Sequence, residues 1–438
     1  MSDLHDEVLE VTRDLIRLDT TNHGFEGTES LAADYLRDYL SAAGVECELV
    51  ARDPARANLV ARIPGTDPDA PSLAYVGHTD VVPVEGQDWT HPPFEAVVDD
   101  GGWLYGRGAI DMKDEVAARA VAMATLAREG FRPRGDFWFL AVADEEDGRA
   151  DVGMRWLLEN RPDIRPTMAL NEGAGERLPL TDGRTVQTFA IAEKGTCPVR
   201  VVALGEAGHA STPDVGDNAV PHLAELIRRI GVGMPDPVHS PEVAATLEVL
   251  LGRPVGDLAA DLDEASRLHP ALRHQLPCLP GTTMAPTVLA AATARNVMPA
   301  RASVELDCRT LPGTTAEEVL EAVRSRLGDD VRYDLEFCEA MVPGSSSPAT
   351  GTLPEAVAAC LAEDGDDALV VPVLCTGFTD SVHLRAVAGT AAYGFTPFRT
   401  TPAEVLAAGF HNADERIHVD DLLVSARFHV ALARRVLG

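Results

Sequence analysis

Between residues 73 and 172 the chain carries four short apolar runs, and each ends in side chains that can hold a hard or borderline cation. The run 73–76 leads into His78 and Asp80, 104–110 into Asp111, 137–143 into Asp144, Glu145 and Glu146, and 168–170 into Glu172. Apolar runs of this length, bounded by turn residues, are the pattern of buried parallel strands covered on both faces. In an open α/β sheet, ligands lie beyond the carboxyl ends of the strands. Acidic and imidazole groups at four such ends would converge on one crevice. A histidine among several carboxylates suits zinc or a similar divalent ion, at distances of about 2.0–2.2 Å.

A chain of 438 residues exceeds what one hydrophobic core usually supports, so two domains are expected. No run of eighteen apolar residues occurs, and no basic-plus-apolar leader stands before the amphipathic start, so no membrane span is expected and the cytoplasm is the default location. The seven cysteines lie scattered without CxxC pairs, which argues against a disulfide framework and reads as small buried or half-buried side chains. A formal charge of −32 argues against nucleic acid or an anionic membrane as partner, since both need a positive surface. Lysine occurs only at 113 and 194.

Leu4, Val8, Val11, Leu15 and Leu18 recur at helical spacing and predict a helix over 3–18. A second helix is expected over 30–43, stopped by Gly44. Strands at 45–50, 58–63, 73–77, 136–143 and 167–171 alternate with helices at 112–129 and 152–160. That alternation predicts an α/β domain whose mixed, largely parallel sheet is flanked by helices. After Gly173 the pattern changes. Strands at 189–192, 198–204, 283–289, 304–308 and 331–337, with helices at 218–230 and 315–327, give the β-α-β-β-α-β order of a ferredoxin-like α+β unit over 183–340. Residues 241–280 read as an irregular insertion, with His239, His269 and His274 in or beside it. A helix at 353–363, a strand at 368–374 and a last helix at 420–436 return to the first domain, which is expected to comprise 1–182 and 341–438.

The segments HTD at 78–80, GRGAIDMK at 106–113, DEE at 144–146 and EG at 172–173 stand in an order and spacing that resembles the M20 family of metallopeptidases. That family includes aminoacylases, dipeptidases, glutamate carboxypeptidases, and acetylornithine and succinyl-diaminopimelate deacylases. The resemblance runs from about residue 4 to the last helix, and the WTHPPF at 89–94 looks like its W-x-x-x-P-F segment. It implies a two-zinc site, with Co2+ or Mn2+ as alternatives. His78 and Glu172 would bind one ion, Glu146 and His411 the other, and Asp111 would bridge them, with a cis peptide after Asp111. Two metals about 3.5–4 Å apart can hold a water between them and polarise the scissile carbonyl. Asp80, two residues after His78, would point to the same side of an extended segment and fix the imidazole tautomer. Glu145 would activate the bridging water and then protonate the leaving amine.

On the inserted unit, which in the family serves as lid and dimer surface, the resemblance implies that His209 in GHAST reaches a neighbouring active site to stabilise the oxyanion. Asn296 in ARNVMP resembles N-V-I-P, whose Asn contacts substrate. Arg309 in LDCR resembles D-x-R, whose guanidinium fork grips a carboxylate. Thr379, Asp380 and Ser381 resemble a substrate-proximal G-x-T-D turn and equally suit a structural turn. His383 and His418 read as structural or outer-layer, and Asp144 and Asp147 as solvated or outer-layer. The leading reading is an amidohydrolase, acting as a homodimer on an N-acyl amino acid or small peptide with a free carboxylate. The alternatives are a biosynthetic deacylase of acetylornithine or succinyl-diaminopimelate type, and a non-catalytic binding protein on the same fold.

Overall fold

A computed structural model describes residues 2–292 and 294–438. The chain forms two compact units, one of residues 1–191, 347–373 and 379–438, the other of residues 192–346 and 374–378. The strand Thr185–Glu193 starts in the first unit, where Ala190 pairs with Gly394, and ends in the second. The passage between units therefore falls inside a strand rather than at the turn near 183.

In the first unit the main sheet has the spatial order Glu46–Val50, Asn58–Ile63, Phe137–Val142, Leu73–His78, Met168–Asn171, Ala391–Gly394 and Thr185–Glu193. The four strands from Phe137–Val142 to Ala391–Gly394 are mutually parallel, and the outer ones join antiparallel. Leu73–His78 and Phe137–Val142 are buried at every position, which explains why their sequences run apolar without alternation. On one face Ala74, Val76, Trp138, Leu140 and Val142 pack against Met154, Leu157, Leu158 and Leu384. The other face carries the helix Lys113–Arg128, buried around nearly its whole circumference, with the helices Ser2–Arg17 and Val419–Leu437 against it. Gly44 ends the helix Ser30–Ala42 at φ +86, its N–H donating to the Ser41 carbonyl at 2.9 Å. Among the described residues no helix is long and apolar enough to cross a membrane.

Two expectations need correction. The run 104–110 is not a strand of the main sheet. Trp103–Tyr105 joins a separate three-stranded sheet with Val97–Val98 and Arg416–His418, and the chain then turns through Gly106 and Gly108. Gly108 sits at φ +88, where a Cβ would meet Lys113 Cδ at 2.9 Å, so only glycine permits this turn. Asp111 thus arrives from the entrance of the helix Lys113–Arg128 and not from a strand end. The segment 241–280 is not irregular either. It folds as helices Pro241–Leu251, Leu258–Ser266 and Pro270–Gln275 with a 3₁₀ turn Leu276–Cys278. The signals were present as Ser240-Pro241, Asp257 and His269-Pro270. Each of these three caps accepts a backbone N–H of the first turn, and Pro stands at the helix start after Ser240 and His269.

The second unit holds an antiparallel sheet ordered Thr283–Ala290, Arg301–Thr310, Val199–Leu204, Tyr333–Phe337. Its helices Ala219–Ile230 and Ala316–Leu327 cover one face, giving the ferredoxin-like order. Along Arg301–Thr310 burial alternates strictly, so Ala302, Val304, Leu306 and Cys308 meet Leu223, Leu226, Val319 and Val323, while Arg301, Ser303, Glu305, Asp307 and Arg309 line the other face. Lys194 donates to the carbonyls of Cys278 and Gly281, tying the helical insertion to the start of Gly195–Thr196. None of the seven cysteines is in a disulfide.

Gly394, aligned with Asn171 in the parallel ladder, leaves no room for a side chain, because a Cβ there would lie 2.0 Å from the Glu172 carbonyl oxygen. Overpacking against fixed backbone costs about 1–3 kcal/mol. Gly394→Ala is therefore expected to lower the urea midpoint by that amount of stability, while a native midpoint would show that the Glu172 turn has room to move.

Candidate functional site

Three parallel strands end side by side and deliver three parts of one cluster. His78 closes Leu73–His78, Glu145 and Glu146 follow Phe137–Val142, and Glu172 follows Met168–Asn171. Asp111 joins them from its helix entrance, and the peptide between Asp111 and Met112 is cis. His411 joins from a turn in which it and Asp414 both hold left-handed φ, +56 and +58.

The Asp111 carboxylate stands at the centre. Its Oδ1 lies 3.1 Å from His78 Nε2 and its Oδ2 lies 3.2 Å from His411 Nε2. On the first side Glu172 Oε1 is 3.6 Å from the same His78 nitrogen; on the second, Glu146 Oε2 is 3.1 Å from the same His411 nitrogen. The result is two nests of one imidazole and one carboxylate each, with Asp111 shared. Glu146 Oε1 and Glu172 Oε1 are buried without a hydrogen-bond partner, a costly state for carboxylate oxygens unless something positive faces them. The atoms of His78, Asp111 and Glu146, and those of His78, Glu145 and Glu172, lie within 4.8 Å of one another. Mixed nitrogen and oxygen donors in this number fit a pair of divalent ions of the zinc type.

The electrostatics follow from crowding. Burial pushes Glu172, Glu145 and Glu146 above the usual carboxylate range, and neighbouring carboxylates push further. For Glu145 the largest neighbour is Glu172, and His78 opposes it. Burial would also raise Asp111, but the hydrogen bonds to His411 and His78 win and hold it well below. Hydrogen bonds to Asp111 and Glu146 raise His411 to about 10. Burial opposes charge on His78, yet Glu172, Asp111 and Asp80 hold it high. The protein alone thus supplies more acid here than two imidazoles neutralise.

Asp80 acts differently from the simple expectation. The His78 Nδ1–H donates to the backbone carbonyl of Asp80 at 2.9 Å, while the carboxylate stands 3.6 Å from that nitrogen. A carbonyl only accepts, so the tautomer is set by the main chain. The Asp80 carboxylate instead accepts the N–H groups of Glu145 at 3.2 Å and Glu146 at 3.1 Å, and Asn22 Nδ2 at 2.8 Å. It therefore positions the loop that carries both glutamates. Asp144 is buried rather than solvated. It sits at φ +62 and accepts from Arg56 at 3.2 Å and Asn22 at 3.3 Å. Thr379 Oγ1 accepts from Asn171 Nδ2 at 3.0 Å and from the Ser381 N–H at 3.1 Å, so its turn is fastened to the strand end beside Glu172. His418 caps the last helix, and burial lowers His383 to about 4.

His209, Asn296 and Arg309 belong to the second unit. His209 is exposed, accepts from the Ser211 N–H at 3.2 Å through Nδ1, and pairs with Val297 across a two-residue ladder. The Ala210 N–H donates to the Asn296 carbonyl at 3.1 Å, so the GHAST and ARNVMP segments are neighbours. Arg309 lies on the helix-free face and gives its fork to Asp307, Nε to Oδ1 at 2.7 Å and Nη2 to Oδ2 at 3.0 Å.

Several residues that hold the cluster were not singled out from sequence. Arg56, Arg107 and Arg119 are among the largest fully buried side chains. Arg56 Nε donates to both Glu29 oxygens at 2.9 and 3.0 Å, and its Nη2 donates to Glu29 Oε1 and to Asp144. Arg119 donates to the carbonyl of Val76, two residues before His78, to that of Asn171, directly before Glu172, and to Glu115. A charged residue inside an apolar stretch, as Arg119 is within 116–124, was the available signal.

The profile described as Peptidase family M20/M25/M40 matches residues 74–435. Aminoacylase-1 of Mus musculus is 30% identical over 409 residues, 92% of this chain and 88% of that protein. The succinyl-diaminopimelate desuccinylase of Alkalilimnicola ehrlichii is 30% identical over 99% of this chain and 100% of its own length. An M20 family metallo-carboxypeptidase from Sulfolobus solfataricus has the same fold, with a TM-score of 0.71 at 19% identity, covering 98% of this chain and 99% of that one.

Asn22 joins Asp80 to Asp144 from outside the cluster, and losing such outer contacts typically costs about 10–100-fold in metal affinity or activity. Asn22→Ala is expected to retain less metal than wild type after dialysis against dilute chelator, by that factor in affinity; equal retention would show that the Glu145–Glu146 loop holds itself.

Proposed function

Because the chain belongs to peptidase family M20/M25/M40 and is thus a metal-dependent hydrolase, we propose that it cleaves the amide bond of an N-acyl amino acid or small peptide bearing a free carboxylate. The observation that carries the reading is the Asp111 carboxylate shared between His78 and His411, each imidazole with its own glutamate. In this reading His78 and Glu172 would hold one ion and His411 and Glu146 the other, with Asp111 shared between the two positions. The donor set suits zinc, with Co2+ or Mn2+ as alternatives. When bound, such ions would polarise a carbonyl and acidify water.

Glu145 is the proton carrier. It takes a proton from the attacking water as the new C–O bond forms and gives it to the leaving nitrogen as the C–N bond breaks. Burial, with Glu172 and Glu146 beside it, holds it above the usual carboxylate range. Asp80 keeps it in place through the main chain. Thr379 stands in a substrate-proximal turn, Asn296 and Arg309 take the substrate's carboxylate, and His209 donates to the developing oxyanion. Arg309 would exchange Asp307 for the substrate's carboxylate, since both present the same planar acceptor. A homodimer would supply His209 from a second copy. The cytoplasm fits a chain whose seven cysteines form no disulfide. The desuccinylase relative supports a second reading, deacylation of an N-succinylated diamino acid. A panel of N-acetyl amino acids, dipeptides and N-succinyl diamino acids, assayed on zinc-loaded protein, decides between them.

Glu145→Gln is expected to bind both metals and fold normally but to lose about 10²–10⁴-fold in kcat. Mixing it with His209→Ala, each inactive alone, should restore partial activity once subunits exchange; no recovery after verified exchange overturns the role of His209 across two copies. If Arg309 and Asn296 bind the carboxylate, amidating the substrate should remove most of kcat/KM, and Arg309→Lys should do the same on the free acid. Equal rates on acid and amide would exclude that contact.

A further inference from the structure

Asp111 and His411 are 300 positions apart, yet their backbones are tied together by a second set of groups, built on one wholly buried charged pair. Arg107 and Glu415 are 1% and 0% exposed. Arg107 Nη1 donates to Glu415 Oε2 at 2.6 Å. The other oxygen, Oε1, accepts the N–H of Ile110 at 2.8 Å and of Asp111 at 3.2 Å. On its far side Arg107 donates through Nη2 to Gln87 Oε1 at 2.9 Å and through Nη1 to the Asn412 carbonyl at 3.3 Å. Gln87 completes the circuit, its Nε2 donating to the His411 carbonyl at 2.9 Å. The Arg107 guanidinium lies over the Trp89 ring at 5.1 Å, and Thr90 binds Asp414 through its N–H and Oγ1, both at 2.7 Å.

This arrangement is more than the local pairing of strands requires. Trp103–Tyr105 and Arg416–His418 already form a ladder, and the Gly106 N–H already reaches the Glu415 carbonyl at 3.0 Å. The side chains run past that ladder to the main chain of two proposed ligands. His411 needs such support most. Its side chain is 56% exposed and its φ is left-handed, so neither packing nor backbone preference holds the ring. A buried ion pair contributes little net stability, but removing one partner strands the other, so it fixes geometry strongly.

We propose that Arg107, Glu415 and Gln87 form a positioning clamp that presets the separation of Asp111 and His411, and so the affinity of the one cation position those two share with Glu146. The inference rests on the two-ion reading of the site. Its consequence is selective. The position held by His78 and Glu172 shares only Asp111 with the clamp, its other two groups coming from strand ends the clamp does not touch, so it should respond less to these residues.

The test is a titration of metal-free full-length protein with Zn2+ by calorimetry, repeated with Co2+ read by its visible absorption. Glu415→Gln, nearly isosteric, is expected to weaken one of the two binding events by about 10–100-fold and the other, which it reaches only through Asp111, by clearly less. Gln87→Ala, which leaves the buried pair whole, should weaken the same event by several-fold, shift the Co2+ spectrum, and leave the thermal midpoint of the metal-free protein unchanged. That combination separates positioning from a merely structural role, and Gln87→Ala alone decides should Glu415→Gln fail to fold. Two ions bound with native affinities and spectrum in folded variants would overturn the clamp while leaving the site reading intact. Equal weakening of both events would also overturn it. A wild-type protein that takes up fewer than two ions would overturn the two-ion reading and the clamp with it.

Discussion

The structure turns on one carboxylate with an imidazole on each oxygen. Around Asp111, at 3.1 and 3.2 Å from His78 and His411, three further glutamates gather. Two like charges about 4 Å apart repel by roughly 4 kcal/mol at the effective dielectric of a protein interior, several times the net worth of an ordinary hydrogen bond. Such a cluster does not assemble by its own contacts. It requires cations in front of it and a rigid frame behind, and both requirements are visible in the orphaned oxygens of Glu146 and Glu172 and in the buried polar groups around them.

The frame is built from three buried arginines, one behind each wall. Arg56 donates to Asp144, which Asn22 joins to Asp80, Arg107 backs the Asp111–His411 side, and Arg119 ties the carbonyls of Val76, two residues before His78, and of Asn171, directly before Glu172. Arginine suits this task because it stays charged in any protein environment and presents several donors in a fixed plane. Lysine would not serve as well. Burial brings Lys113, whose Nζ reaches the Leu18 carbonyl, down to about 7. Charges buried in this way add little net stability, so their value lies in holding ligands where metals need them.

The second unit follows a simpler rule. Strict alternation along Arg301–Thr310 sends its apolar residues to two helices and its charged ones to an open face. Arg309 stands on that open face because of its parity in the strand, and Asp307, two residues earlier, stands beside it for the same reason. The motif and the ion pair are thus one consequence of a period of two.

By itself the sequence determined the alternation of strands and helices, the buried parallel strands, the ferredoxin-like order of the second unit and the acidic and imidazole side chains that gather around Asp111. These are legible because period, apolar runs and acid-rich strand ends are local, and because the motifs fall in a recognisable order. The helices of 241–280 were also written locally, in Ser240-Pro241 and His269-Pro270, but their caps were passed over. Only the tertiary structure decided that Asp111 comes from a turn rather than a strand, that the Asp80 carboxylate holds the Glu145–Glu146 backbone while its main-chain carbonyl holds the His78 ring, and that Arg107, Glu415 and Gln87 meet. Those facts depend on which loops a fold brings together across hundreds of residues. A buried charge carries no periodic signature, and its partner is chosen by the geometry of the folded chain.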